Sequence, residues 1–482
     1  MRQDLRLLPA AAGGWVLVWL GIRVTAGPGL LLLLLVLMTL LGAVSVMRRP
    51  PSGRHRDNAA GRAAATVAVA CAVATVLLGL SLLRAHQRAM SVEPHIGSEL
   101  NATLAITSEF KPTGAIQAGG AGTGLVEARW LLGSGVPVVV LTGEGWRQPT
   151  VGSIVRVLVR VADTDPGDRA AVLLITSGAP ELVSRAPPLA SAIASLRAGL
   201  IRASAGLDPH SRALVPGIAI GDDRELLPSL AQDMRAASLT HLTAVSGAHV
   251  AMVVGLVLLG LAWAPRLVRA VVATLVLAGL VMLVHPEASV LRAAAMGVVL
   301  ILGLLLARPR SALPALWFSV ISLLLIDPWL ASSFGFVLSV SATAGLLLLA
   351  RPLARWAARW LPKGLAMALA VPFAAQLACT PALALLQPAM PVHGVLANVL
   401  AAPAVPPATL LGLAATVVSP FSPTAAVAMA TAASWATAWI ATVATWCAGL
   451  PLAQLPWSAL VGCGVVVAAL WLLRRRYAAS GR

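Results

Sequence analysis

The sequence predicts a polytopic α-helical membrane protein with about 12 transmembrane helices and a small exterior β-barrel (OB-like) domain inserted after the third helix. Of the 482 residues, 59% are hydrophobic and 11% charged, with a mean hydropathy of +0.87, whereas soluble chains are about 25% charged. Apolar stretches long enough to cross a bilayer, about 20 residues each, recur along the chain. One Gly-rich segment instead shows short alternating runs. The apolar content excludes disorder, and four Cys in this length exclude a disulfide scaffold.

Three apolar stretches precede residue 90, and nine follow residue 240. The first stretch is weak because Arg23 lies near its end, and the tenth is weak because Pro403 and two later prolines interrupt it. We therefore expect a broken or re-entrant helix at the tenth stretch. The predicted spans are 11–26, 29–47, 63–83, 243–264, 267–284, 289–307, 311–326, 330–350, 364–387, 392–418, 424–447 and 457–473.

The distribution of basic residues predicts the orientation of these spans. The loop between spans two and three carries five Arg, so it is predicted to be cytoplasmic. Strict alternation of the spans then places all the remaining basic loops in the cytoplasm, together with both termini. The predicted cytoplasmic segments contain 19 of the 35 Lys and Arg but only two acidic residues, Asp4 and Asp57. The net charge of +17 is therefore explained by membrane topology, without nucleic-acid binding.

Residues 86–186 form the exception to the apolar pattern. Their alternating runs predict five strands that would form a small barrel, with 99–109, 123–132, 136–142, 151–162 and 170–177 as the strands. The segment has 8 basic and 9 acidic residues, and its aromatic residues are Phe110, Trp130 and Trp146. A barrel that binds single strands should show a positive groove and stacking aromatics. We therefore favour an exterior cap or a partner-docking module.

The next segment, 187–240, reads as amphipathic helices at the membrane interface. Leu196, Leu200 and Ile201 recur at helical spacing as the apolar residues of the first helix. Arg197 and Arg202 are its polar residues. A turn at Gly221–Arg224 follows, and a second amphipathic helix is predicted over 225–238.

Polar residues within apolar spans are candidate functional residues, because an ionisable group in a membrane is costly. Thr243, Ser246 and His249 recur every three residues and are predicted to share one helix face. Such a face could line a water-filled path. It could equally serve helix–helix packing through small residues and hydrogen bonds.

Three further polar residues lie within predicted spans. Arg292 could hold a carboxylate or a phosphate, or it could extend to the surface, with Glu287 as its structural partner. Gln376 and Asn398 each stand five residues before a proline. They could line a pore, or they could satisfy backbone groups that the proline frees.

In their order along the chain, these features resemble the ComEC-type family of bacterial competence DNA-uptake channels. That family carries a Gly-Asp-basic turn, a His-Leu-Leu-Ala-Ile-Ser-Gly-Leu-His-Val motif, Leu-Arg-Ala-x-x-Met, and Asp-Pro-x-x-Leu followed by Gly-Phe-x-Leu-Ser. The matching positions are Gly221, Asp222, Arg224, His241, Leu242, Ala244, Ser246, Gly247, His249, Val250, Leu291, Arg292, Ala293, Met296, Asp327, Pro328, Leu330, Gly335, Phe336, Leu338 and Ser339. Asp223 is inserted in the turn, and Thr243 and Ala248 replace the usual leucines.

The resemblance implies four segments: N-terminal helices over 1–85, an OB-like domain over 86–186, interface helices over 187–240, and a channel domain over 241–482. It also implies that the chain passes single-stranded DNA through the bacterial inner membrane during natural transformation. Its partners would be a separate membrane-anchored DNA receptor, a cytoplasmic helicase-like ATPase and the lipid bilayer. The residues expected to line the channel or contact DNA are Asp222, Arg224, His241, Thr243, Ser246, His249, Arg292, Gln376 and Asn398.

Other chemistry is not indicated by the sequence. No Walker-A loop and no metal-type His cluster occurs, so we expect neither an enzyme nor a cofactor. Many relatives end in a nuclease domain with a His-x-His-x-Asp-His motif, which does not occur here, and we expect the form without it. Alternatives are a transporter of another polyanion or a lipid-linked envelope precursor, an intramembrane hydrolase using Ser246 and His249, and a pseudo-channel that organises the membrane.

Overall fold

The computed structural model describes most of the chain. The described residues are 6–23, 37–38, 44, 57–116, 122–132, 135–147, 149–176, 178–243, 245–284, 288–306 and 312–458. The predicted spans 29–47 and 457–473 lie almost wholly outside these residues. The chain divides into two compact units, of which the first comprises Met1–Arg202, Ser246–Val340 and Thr416–Thr424, and the second the remainder.

Fourteen α-helices are present among the described residues. They are α1 (Leu8–Arg23), α2 (Asp57–Val92), α3 (Pro188–Ser204), α4 (Pro209–Ile220), α5 (Pro228–Ala236), α6 (Gly247–Gly260), α7 (Arg266–Val284), α8 (Ala288–Leu305), α9 (Ala312–Ile326), α10 (Phe334–Ala357), α11 (Lys363–Leu386), α12 (Gly394–Ala401), α13 (Val405–Val418) and α14 (Pro423–Gly449).

Six of the described helical segments are long and apolar enough to cross a membrane, and four shorter apolar helices accompany them. The six are Ala65–His95, α7, α10, α11, the α12–α13 segment and α14. Together these ten match ten of the twelve predicted spans in position. The chain is therefore a helical membrane protein, while the predicted count of twelve extends beyond the described residues.

The predicted interruption of the tenth span is present. A 3-10 turn over Ala402–Ala404 separates α12 from α13, with Pro403 at its centre. The backbone dihedral angles of Ala402 and Val405 stay in the right-handed helical region. The proline therefore tightens the helix without reversing the chain, so the helix is interrupted but not re-entrant.

A closed barrel of five strands forms the non-helical part of the first unit. Its ring runs β1, β3, β4, β6, β5 and back to β1, and β4–β6 is the parallel pair while the other ring pairs are antiparallel. Two outer strands, β2 and β7, pair with β3 and β5. The strands are β1 (Glu99–Ile106), β2 (Lys111–Ile116), β3 (Gly122–Trp130), β4 (Val136–Gly143), β5 (Ile154–Ala162), β6 (Leu173–Ile175) and β7 (Glu181–Ser184).

All five predicted strands are present, but the segment 111–116, between the first two of them, was not predicted as a strand. It forms β2 instead. This strand pairs with β3 alone, and a strand with one free edge can include a proline such as Pro112. Inward-facing Val and Leu side chains fill the barrel, and Phe110, Trp130 and Trp146 are buried among them. These three aromatic residues therefore offer no exposed ring for stacking.

Within the first unit, α1 packs closely on α2 through glycines. A methyl group on Gly14 would come within 2.5 Å of Leu77 Cδ1, and one on Gly21 within 2.5 Å of Ser81 Oγ. Trp15 Nε1 donates to Ala331 O at 3.0 Å. Small residues thus allow close helix packing here, as is usual in membranes.

The barrel contacts the ends of several helices of the same unit. Arg88, near the end of α2, donates to Ala170 O and lies over the Trp329 ring at 4.5 Å. Arg169 pairs with Asp327 at 3.2 Å, just after α9. The C-terminal ends of α2 and α9 therefore lie on the barrel side of this unit.

In the second unit, apolar residues of α4 and α5 pack with α12, α13 and α14 in one core. Nine residues of α4 are buried, so α4 is an internal helix and does not have the solvent-facing polar side of an interface helix. Two short strands, β8 (Ala389–Pro391) and β9 (Gln454–Pro456), pair beyond the ends of α11 and α14.

Candidate functional site

The motif at 240–250 does not form one helix, so the prediction of a shared helix face is wrong. Thr240–Leu242 form a 3-10 turn, and α6 begins only at Gly247 with Ser246 as its N-cap. Thr243 is buried, its Oγ1 donates to Thr240 O, and its side chain lies near Gly217 in the second unit. His241 is exposed on the turn. Ser246 and His249 belong to the first unit.

Ser246 and His249 form a helix cap. His249 Nδ1 accepts a hydrogen bond from the Ser246 backbone N–H at 2.9 Å, and Ser246 Oγ lies 3.3 Å from the same nitrogen. This is the geometry of a capping box in which an N3 side chain binds the N-cap amide. Since the backbone occupies Nδ1, this nitrogen cannot serve as a base for the Ser246 hydroxyl. The geometry thus gives no support to a Ser–His nucleophile.

Arg292 is a buried cation in α8, 5% exposed. Its Nε donates to Ser339 Oγ at 2.8 Å, and Nη1 lies 3.3 Å from Met296 Sδ. A methyl group on Gly247 would come within 2.8 Å of Nη2. Arg292 therefore does not extend to the surface, and it joins α8 to the starts of α6 and α10. The predicted partner Glu287 lies outside the described residues.

Asp222 and Arg224 form an ion pair despite the inserted Asp223. Gly221 ends α4 in the left-handed conformation, with φ of 71°, a region that glycine adopts without strain. The Asp222 carboxylate then accepts from Arg224 Nε at 2.8 Å and also from Nη2. The two charges offset each other within this turn.

Gln376 and Asn398 both donate to backbone carbonyls of the second unit. Gln376 Nε2 binds Pro391 O at 3.0 Å. Asn398 Nδ2 binds Gly394 O at 2.8 Å and Ser238 O at 3.3 Å. Ser238 itself has a left-handed φ of 58°. Gln376 thus binds the short strand β8, and Asn398 binds the first turn of its own helix and the Ser238 carbonyl, so neither amide binds the carbonyl one turn before its proline.

Sequence reasoning misplaced one charged residue, Arg197. It was predicted on the polar face of an interface helix, but it is 3% exposed. Its guanidinium binds both carboxylate oxygens of Glu109 at 3.1 and 3.2 Å and donates to Leu283 O at 2.8 Å. Helical periodicity could not reveal this, because Glu109 lies 88 residues earlier in the sequence.

The described residues contain no group of three or more His, Cys, Asp or Glu side chains that could hold a metal ion. The first unit holds the buried guanidinium groups of Arg197 and Arg292 and the helix cap of Ser246 and His249, and the second unit holds the amides of Gln376 and Asn398. A helical membrane protein with buried polar residues in its bundle is typical of proteins that move polar solutes.

A family model described as "Competence protein" matches residues 218–477, more than half of the chain. The chain therefore belongs to the Competence protein family, and this membership indicates a role in competence and DNA uptake. No curated protein and no solved structure matches the chain.

Proposed function

We propose that this chain is a ComEC-type inner-membrane channel that passes single-stranded DNA into the cytoplasm during natural transformation. One observation carries the proposal: the competence match covers the same apolar helices that hold the buried Arg292 and the half-buried amides Gln376 and Asn398. A membrane bundle retains such residues mainly where a polar solute passes or binds.

The proposed orientation has the barrel on the exterior face and both termini in the cytoplasm. The contacts of Arg88 and Arg169 support it, because they join the barrel to the C-terminal ends of α2 and α9. In the alternating arrangement predicted from the basic loops, both of these ends are exterior.

The barrel is proposed to be of the OB type. Numbered within the ring, its strands follow the order 1-2-3-5-4-1, and the parallel pair joins the third and fifth strands. A Greek-key barrel of five strands is the OB architecture. Its three aromatic side chains are internal, which favours docking over DNA binding as the role of this barrel.

In this proposal the chain acts with partners and is not itself an enzyme. Exterior DNA would be delivered by a separate membrane-anchored receptor, and a cytoplasmic helicase-like ATPase would drive movement, since the sequence has no nucleotide-binding loop. Neutral amides such as Gln376 and Asn398 would contact the strand without holding it firmly.

The proposal is tested in the source bacterium with this gene deleted and then restored. Fluorescent DNA that becomes protected from external nuclease is scored separately from DNA bound at the surface. We expect deletion to abolish the protected fraction and leave surface binding intact. Normal internalisation of DNA in the deletion strain would overturn the proposal that this chain is the DNA channel. Loss of envelope precursors together with normal internalisation would favour the alternative transporter.

A further inference from the structure

We propose that the start of α6 and the Arg292 guanidinium together form a binding site for one backbone phosphate of single-stranded DNA. The inference deepens the proposed function and rests on it for the identity of the ligand. It concerns residues of the first unit only.

The first observation is a buried charge that has no counter-ion among the described residues. Arg292 is 95% buried, and its contacts are a hydroxyl oxygen on Ser339 and a thioether on Met296, both neutral. No carboxylate of the described residues forms an ion pair with it. A buried cation without a counter-ion carries a desolvation penalty of several kcal/mol, so an anion at this point would be strongly favoured.

The second observation is the direction of the neighbouring helix. The N-terminal residue of α6, Gly247, lies against Arg292 Nη2. The backbone N–H groups of Gly247 and Ala248 donate to no described residue, as is usual in the first turn of a helix. The positive end of a helix dipole therefore faces a guanidinium, and two like charges repel unless an anion lies between them.

The third observation is that further helices begin at the same place. Arg292 is in the second turn of α8, and Ser339 is in the second turn of α10. Their contact at 2.8 Å brings the N-terminal parts of α8 and α10 together beside α6. Helix N-termini attract phosphate groups through free amides and the dipole, and the N-terminus of α6 is the one that lies against the guanidinium.

The site is open on one side. Gly247 is half-buried and Ala248 is exposed, and the guanidinium lies against Gly247. A phosphodiester could therefore meet the two amides and Nη2 together, with Nε remaining on Ser339. Gly247 is required at its position, because any side chain there would displace the guanidinium from the amides.

The test measures binding of a fluorescent oligothymidylate to the purified full chain in neutral-lipid nanodiscs over a range of salt concentrations. We expect Arg292→Gln to weaken binding about tenfold. We also expect the slope of log affinity against log salt to become shallower by about 0.7, the value for one lost phosphate contact on a single strand. Gly247→Ala keeps the charge but moves it, so it should weaken binding by a similar factor.

Two matched controls accompany these variants. Gly255→Ala adds a methyl group to the same helix where nothing lies within 4 Å, and Arg212→Gln removes an exposed arginine that pairs with Glu225. Both should bind DNA like the wild type. Arg292→Lys, which retains the charge, is the control for a folding defect in Arg292→Gln. A well-folded lysine variant should keep most of the salt slope but lose affinity.

The possible results distinguish a failure of the proposed phosphate site from a failure of the proposed function. An unchanged salt slope in Arg292→Gln would overturn the phosphate site, even if the gene remains necessary for uptake. Tighter DNA binding by Glu287→Gln than by the wild type would show that Glu287 is the counter-ion of Arg292, and would also overturn the phosphate site. Loss of the Arg292-dependent binding on adding anionic lipid would assign the site to a lipid headgroup. Absence of any DNA binding together with normal uptake in the deletion strain would overturn the proposed function itself.

Discussion

The Arg197 guanidinium binds both carboxylate oxygens of Glu109, at 3.1 and 3.2 Å, across 88 residues of sequence. Glu109 follows the first strand of the barrel, and Arg197 lies in α3. The third donor of the arginine reaches Leu283 O near the end of α7. One side chain thus connects the barrel, α3 and α7 within the first unit.

We expect Glu109→Gln to destabilise this unit by about 3 kcal/mol, because it leaves the buried Arg197 without its counter-charge. The measurement is thermal unfolding of the detergent-solubilised chain, together with protease sensitivity of the 178–188 segment. Arg202→Gln is the matched control, since Arg202 is exposed on the same helix. Equal stability of the Glu109 and Arg202 variants would contradict a structural role for the pair.

Gly13 and Gly14 offer a paired test of the contact between α1 and α2. Alanine is favoured over glycine in a helix by up to about 1 kcal/mol. A methyl group on Gly13 meets nothing within 4 Å, so Gly13→Ala should stabilise slightly. A methyl group on Gly14 would lie 2.5 Å from the buried Leu77, so Gly14→Ala should cost about 1–3 kcal/mol. A Gly14 variant more stable than the Gly13 variant would refute this packing.

Hydropathy was sufficient to predict the positions of the ten apolar helices among the described residues, because spanning a bilayer demands long apolar stretches. Alternation of side chains was sufficient for five strands of the barrel. The strand β2 was missed because Pro112 and Gly114 are typical of turns, and only pairing with β3 makes them a strand. Its existence depends on a tertiary contact that composition does not encode.

The site was predicted less well than the fold. Regular spacing suggested one helix over 243–249, but Ser246 and His249 form a cap that starts the helix later. The signal was present as a Ser followed three residues later by a hydrogen-bonding side chain. The charge balance at Arg292 and Arg197, by contrast, depends on residues distant in sequence, so only the structure could distinguish the two arginines.

Asp208 provides a pH-dependent prediction outside the membrane helices. Its carboxylate caps α4 by accepting from the His210 and Ser211 amides. Burial opposes the charged form, but the hydrogen bonds from Ser211 and His210 prevail and lower the pKa of Asp208. A lowered folded pKa stabilises the protein above the ordinary Asp value of about 3.9, and this stability is lost as the pH falls through the folded pKa.

We therefore expect Asp208→Ala to cost about 1 kcal/mol at neutral pH, the usual value of an N-cap. The difference from wild type should shrink as the pH is lowered below about 4. Asp208→Asn is the control, because asparagine also caps helices but does not titrate. Unfolding midpoints measured between about pH 3 and pH 7 decide the matter. A constant difference across that range would contradict the linkage.

His249 can be tested for a capping role against a direct role in transport. Glutamine at N3 can accept the Ser246 N–H through its side-chain oxygen, so His249→Gln should keep both stability and DNA uptake near wild type. His249→Leu has a similar volume but no acceptor. It should cost about 1 kcal/mol and reduce uptake, because the start of α6 would no longer be held beside Arg292. Unfolding of the purified variants and nuclease-protected DNA in cells provide the two readouts. A glutamine variant that is stable but deficient in uptake would mean that the imidazole itself contacts the transported strand.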